Sequence, residues 1–299
     1  MTYDSAMDFG LMFANTGPYV TADGLVEVAR AAEAVGFESL WTVEHVIWPQ
    51  QYASAYPYAP SGRMPGDAST PLPDPLIWLS FAAAATSTIK LATGILILPE
   101  RNPLVLAKSV ATLDSLSNGR LVLGIGVGWL EEEFVALGVP FEHRGAITDE
   151  YIEAMRALWA DDDAAYKGRF TSFNGVASNP KPAAGEVPFV VGGHSRAAAR
   201  RAGRLGNGFF PGKGSVDELR ELFDIARQTA ADAGRDPEAI ELTAGHPGLF
   251  GDDPVGAAQE LASIGVTRSI VPAFMLANGA TADTAAAMAE RILQPCADV

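Results

Sequence analysis

The segment SLWTVEHVIW sets Glu44, His45 and Trp48 just beyond a short apolar run. An imidazole can give or take a proton near neutral pH, the adjacent carboxylate supplies a polar partner, and the indole offers a flat surface. Together they suit a ring-binding wall with a proton donor, although a histidine in such a place also serves as a packed or capping residue. GIGVG, Gly124 to Gly128, follows another apolar run and precedes Trp129 and the acidic helix start Glu131, Glu132 and Glu133. Backbone without side chains lets amides approach a phosphate or a ring. The dinucleotide fingerprint wants glycine where Trp129 stands, so the match to it is weak, and tight packing at a strand-helix turn is the competing reading. VVGGHS, Val190 to Ser195, repeats the design: Gly192 and Gly193 precede a helix that His194 or Ser195 caps, which makes a second anion seat. Arg196, Arg200 and Arg204 follow at four-residue spacing and share a face, either for an acidic cofactor tail or as a solvated face paired with acids. In ATGILIL, Ala92 to Leu98, Gly94 lies inside a strand, the mark of a bulge or of a ligand meeting backbone. His143 and Arg144, in FEHRG, read as a helix-start cap and a salt bridge. His246, before Pro247, ends a strand, and its facing stays open.

These residues need strand ends to position them, and the chain supplies eight. Apolar runs at Asp8 to Phe13, Ser39 to Thr42, Lys90 to Leu98, Leu121 to Ile125, Pro188 to Val191, Gly208 to Phe210, Glu241 to Gly245 and Arg268 to Pro272 alternate with amphipathic stretches. The latter predict helices near 21–35, 75–86, 102–116, 143–160, 195–205, 215–233, 254–264 and 281–292. Eight such alternations over 299 residues fit an α/β fold, the (β/α)8 TIM barrel, rather than a doubly wound sheet. Two segments interrupt the rhythm: Val46 to Pro73, after the second strand, and Asp161 to Pro182, before the fifth, with a hairpin around Tyr166 to Phe173. Both are expected to wall the pocket.

With 48% hydrophobic and 19% charged residues and no Pro/Gly/Ser-rich linker, residues 1–299 read as one domain. Cys296 has no partner for a disulfide or a metal cluster. Met1 to Asp8 carries two acids and no basic leader region, and no apolar run approaches a membrane span, so a cytoplasmic location is expected. With 21 basic and 36 acidic residues the net charge is −15, which repels nucleic acid and anionic membranes at long range. An anionic cofactor would need local help.

The stretches GFESLWTVEHV, LATGILILPERNPLVLAKSVATLDSLSNGRLVLGIGVGW and VPFVVGGHSRAAARRAG together resemble the luciferase-like monooxygenase superfamily, in particular its branch that uses the deazaflavin coenzyme F420. The resemblance runs from the first strand to the sixth and is strongest in the middle stretch. It implies that Glu44 and His45 form an acidic-His pair with His45 near the reacting carbon. It implies that Gly94 and Ile95 carry a non-prolyl cis peptide behind the tricyclic ring. Val127 and Gly128 then make a phosphate-side turn, beside Trp129, and Gly192, Gly193, His194 and Ser195 make further phosphate and ribityl contacts. Trp129 departs from the pattern, for the branch's sugar-phosphate dehydrogenases place a catalytic Glu there. In bacterial luciferases an Arg of the GxGxG turn pairs with the flavin phosphate; uncharged Val127 stands here, which favours F420 over FMN. The resemblance thus implies an oxidoreductase that moves a hydride between F420 and a small organic substrate. The alternatives are a reduced-FMN monooxygenase and a flavin-binding protein without turnover. A cofactor-free barrel aldolase finds only Lys213 near a strand end. Homodimers are the family's usual assembly.

Overall fold

The computed structural model describes residues 7–296 and Val299. The leader reading of Met1 to Asp8 falls mostly outside them. Eleven strands are present among the described residues: β1 (Asp8–Met12), β2 (Ser39–Thr42), β3 (Lys90–Thr93), β4 (Leu96–Ile97), β5 (Leu121–Gly126), β6 (Ala164–Lys167), β7 (Ser172–Val176), β8 (Phe189–Gly192), β9 (Gly208–Phe210), β10 (Glu241–Ala244) and β11 (Arg268–Pro272). Nine of them pair in parallel in the order β3-β2-β1-β11-β10-β9-β8-β5-β4, and the further pairing of β3 with β5 closes the ring. With β3 and β4 as two pieces of one barrel strand, this is the eight-stranded closed (β/α)8 barrel. The expected third strand, Lys90 to Leu98, is present as β3 and β4; the ladder breaks at Gly94-Ile95, where the bulge was expected, and that peptide bond is cis, as the resemblance implied.

The helices are α1 (Ala22–Val35), α2 (Pro75–Ala85), α3 (Pro103–Leu116), α4 (Glu131–Leu137), α5 (Arg144–Ala160), α6 (Arg196–Leu205), α7 (Val216–Asp232), α8 (Pro254–Ser263) and α9 (Thr281–Met288). Their starts follow local chemistry. α2, α3 and α8 each have Pro at the first position behind an Asp or Asn cap that accepts backbone N–H groups, and Ser215 with Glu218 forms a capping box before α7. Only α4 was not foreseen as a separate element; Gly138, at φ 72°, ends it.

Two apolar layers result. The larger lies between strands and helices. The smaller fills the barrel with Met12, Trp41, Ala92, Val122, Val190, Phe210 and Ile270. Trp41 is wholly buried there, and a side chain at Gly10 would put Cβ 2.5 Å from its indole nitrogen. Below it, at the amino-terminal ends of the strands, the buried Arg268 pairs with Glu38 and Glu241, and Lys90 pairs with Glu38. The barrel is thus a packed plug whose chemistry must sit at the other rim.

The two long segments part company. The hairpin of β6 and β7 pairs Tyr166 with Phe173 as expected, but it packs along the outer flank of α5. Glu150 accepts the Arg169, Phe170 and Thr171 amides, Glu153 accepts from the Tyr166 hydroxyl, and the tip reaches His143. It starts at the barrel's opposite end, as a segment between a helix and the following strand must, and runs back along α5 toward that helix's start. Val46 to Pro73, which follows a strand, does cover the rim. Among the described residues no helix is long and apolar enough to cross a membrane.

Candidate active site at the carboxyl-terminal rim

All barrel strands point the same way, so the residues just past them share one rim. His45 follows β2, Gly94 and Ile95 follow β3, Val127 to Trp129 follow β5, and Gly193 to Ser195 follow β8. The structure brings together the candidate residues of the sequence reading.

His45 is oriented from outside its own segment. Its Nδ1 lies 2.7 Å from Glu133 Oε2, while Glu133 Oε1 accepts the amides of Val46 at 2.6 Å and Ile47 at 3.1 Å. The Glu133 side chain is fully buried, so this carboxylate fixes the ring in place. With Nδ1 facing a carboxylate, that nitrogen carries the proton, and Nε2 is the atom left for a ligand. The indole of Trp129 meets the imidazole edge-on at 5.8 Å.

Glu44, expected as the partner of His45, faces elsewhere. Its carboxylate accepts the Ile97 amide at 2.6 Å and the Arg101 guanidinium, which also reaches Asp74 at 2.7 Å. Successive residues of an extended chain point to opposite sides, so Glu44 and His45 diverge. Glu44 instead anchors the segment beyond the strand break. Burial pushes its carboxyl upward, against the pull of Arg101.

Ile95 sits above the Trp41 plug, nested between two glycines. A Cβ at Gly126 would fall 2.5 Å from Ile95 Cδ1, and one at Gly192 would fall 2.5 Å from Ile95 Cγ2. These glycines make the space that lets Ile95 lie across the mouth between β5 and β8. Gly128, at φ 78°, accepts Arg144 Nε at its carbonyl, and the ring of Phe134 fills the place of a Cβ. Packing thus accounts for that glycine without a ligand. Val127 and Trp129 are half-buried at the rim.

At the second glycine turn Ser195, not His194, caps the helix, accepting the Ala198 amide at 3.2 Å. His194 Nδ1 is buried without a hydrogen-bond partner, and burial together with Lys213 pushes its pKa down. Lys213 itself donates to the Pro57 carbonyl.

The expectations for His143 and Arg144 are corrected. His143 makes no side-chain cap, and Arg144 lies over the Phe141 ring at 3.8 Å in place of an ion pair. His246 turns to its own helix start, accepting the Gly248 amide and lying 3.3 Å from Glu260. Of the arginine stripe, Arg196 pairs with Glu221 and Arg204 with Asp149, as a solvated face does.

Sequence reasoning missed Glu100. It lies in the single turn after β4, both carboxyl oxygens are buried without a partner, and burial with the charges of Glu133 and Glu44 pushes it up to about 9. It also missed the lid tethers. Glu132 accepts from the Ala53 and Ser54 amides and the Ser54 hydroxyl.

The profile of the family described as luciferase-like monooxygenase matches residues 7–294. The chain belongs to this family. An uncharacterized protein of Mycobacterium tuberculosis is 35% identical over 239 residues, 79% of this chain and 83% of that one. An F420-dependent glucose-6-phosphate dehydrogenase of Amycolatopsis mediterranei is 31% identical, covering 73% of this chain and 62% of that one. An FMNH2-dependent dimethylsulfone monooxygenase of Pseudomonas fluorescens is 29% identical, covering 69% and 52%. The fold matches the coenzyme F420-dependent tetrahydromethanopterin reductase of Methanopyrus kandleri with a TM-score of 0.75, over 98% of this chain and 99% of that one, at 17% identity. The luciferase-like family thus contains F420-dependent and FMN-dependent enzymes, and its members are oxidoreductases and monooxygenases acting on small molecules.

Proposed function

We propose that this protein is an oxidoreductase that moves a hydride between coenzyme F420 and a small organic substrate. The observation that carries the reading is the His45–Glu133 pair at the rim above Ile95, an oriented proton-transfer group beside a backbone-lined seat. The neutral Val127 favours F420 over FMN, because it offers an FMN phosphate no charge at that turn, where the Arg144 guanidinium is held by the Gly128 and Phe141 carbonyls.

The residues present fit a phosphate-bearing cofactor. Gly192, Gly193, His194 and Ser195 open α6, a helix start favours an anion, and the buried His194 Nδ1, without a hydrogen-bond partner beside Lys213, suits a polar ligand atom. Val127, Gly128 and Trp129 would hold the next part of the cofactor, and Gly94 and Ile95, with Glu44 behind them, would support its ring. Bound there, F420 would supply a ring carbon able to accept or release a hydride, the chemistry no side chain offers.

The chain's own residues do the rest. Glu133 holds the Nδ1 proton and the ring plane of His45, so that Nε2 gives or takes the proton that accompanies hydride transfer. The 46–73 segment, tied down by Glu132, Glu133 and Lys213, excludes water from that exchange. We expect a cytoplasmic homodimer formed from one-domain chains. Sedimentation velocity at micromolar concentration tests the assembly, and a purely monomeric profile would remove it.

Binding of F420 without its reduction by any alcohol, or its reoxidation by any ketone, would favour the flavin-binding protein without turnover. Turnover only with reduced FMN and oxygen would favour the monooxygenase.

A further inference from the structure

Aromatic rings form an unbroken arc over the barrel mouth. His45 meets Trp129 at 5.8 Å, Trp129 meets Tyr56 at 5.2 Å, Tyr56 meets Tyr58 at 5.4 Å, and Tyr58 meets His194 at 5.2 Å, all edge-on. The arc starts beyond β2 and ends beyond β8, so it joins the proposed proton donor to the proposed phosphate seat. Its far end is admitted by Gly212, where a Cβ would fall 2.5 Å from the Tyr58 ring. On the same rim Phe13, held at φ 62°, pairs with the exposed Phe274. Val46, Ile47 and Tyr58 are also exposed there, a concentration of apolar surface that marks a binding face.

The cations around this face are committed. Arg63 donates to the Tyr52 carbonyl and lies over its ring, Arg144 lies over Phe141, Arg101 serves Glu44 and Asp74, and Lys213 holds Pro57. Lys213 is the one of these beside the phosphate seat. Among these cations an anionic substrate group would find none unpaired under the arc, and its desolvation there would go uncompensated by charge.

We propose that the aromatic arc selects an organic substrate with a flat or ring-bearing body and no anionic group, and so excludes sugar phosphates and carboxylates. This rests on the reading of the rim as a cofactor-dependent active site, but it is tested by binding alone.

The test measures two probes of one shape by saturation-transfer NMR and calorimetry, with and without F420: acetophenone and 4-acetylbenzoate. The expected result is acetophenone bound about tenfold or more tightly than the carboxylate. Tyr56→Leu should weaken acetophenone about tenfold, the worth of one well-placed ring contact. Gly212→Ala, which alters no ring but displaces Tyr58, should weaken it in the same direction while unfolding at an unchanged temperature. Equal or tighter binding of the carboxylate, no binding of either probe, or full affinity in both variants would overturn the proposal. Failure of F420 to bind would sink the cofactor reading yet leave this comparison standing.

Discussion

Glu133 and His45 are 88 residues apart in sequence and 2.7 Å apart in space, and the same carboxylate pins the two amides that follow the histidine. One buried side chain therefore sets both the ring's tautomer and the start of the lid.

Removing it should cost both at once. Glu133→Ala leaves three donors without a partner, about 1–3 kcal/mol for each that stays buried, so melting should fall by several degrees. Glu133→Gln, which keeps one acceptor oxygen, should lose less stability than Glu133→Ala. Thermal unfolding of both variants checks the order, and equal, negligible shifts would show that the carboxylate anchors nothing.

Much of this arrangement was legible in the sequence, and the exceptions have a common cause. Apolar runs bounded by turns located all eight barrel strands, and the glycine inside ATGILIL marked the place where the third breaks. Gly192, Gly193 and His45 were legible because strand ends in a barrel share one rim. Glu133 was not: three acids at a helix start read equally well as partners of the helix dipole. Only closure of the barrel brings that helix against the segment after β2. The 156-residue reach from Lys213 to Pro57 was hidden for the same reason. Glu44 was misjudged because adjacency along a chain was taken for adjacency in space.

The glycines around Ile95 give a steric prediction. Gly192→Ala would place a methyl 2.5 Å from Ile95 and push that side chain across the mouth. Cofactor affinity should fall about tenfold or more, since a small displacement at a fitted site forfeits more than 1 kcal/mol. Circular dichroism should report an intact barrel. Unchanged affinity would mean that Ile95 does not support the cofactor.

Glu100 gives a pH dependence with a definite sign. Its carboxyl is raised from 4.5 to about 9, first by burial and then by Glu133 and Glu44. The folded chain therefore holds a proton that the unfolded chain releases, and this contribution is full below about 4.5 and is lost as pH rises toward about 9. Glu100→Gln, which imitates the protonated acid, should flatten that decline. Melting temperatures of both proteins across the window provide the check. Parallel curves would show that Glu100 does not titrate there.

His45→Ala should keep the fold and lose about 100-fold to 10,000-fold in turnover, the range for a positioned acid or base. The loss should appear in kcat, because the imidazole acts on a proton in flight. Undiminished turnover would reduce His45 to packing.

The most direct measurement is a paired titration of the wild-type protein with coenzyme F420 and with FMN, followed by quenching of tryptophan fluorescence. Trp129 lies beside the mouth and Trp41 directly beneath the Gly94-Ile95 seat, so both should report on a cofactor bound there. The account predicts saturable F420 binding at micromolar concentration or below and clearly weaker binding of FMN. FMN binding as tight as F420 or tighter would contradict it.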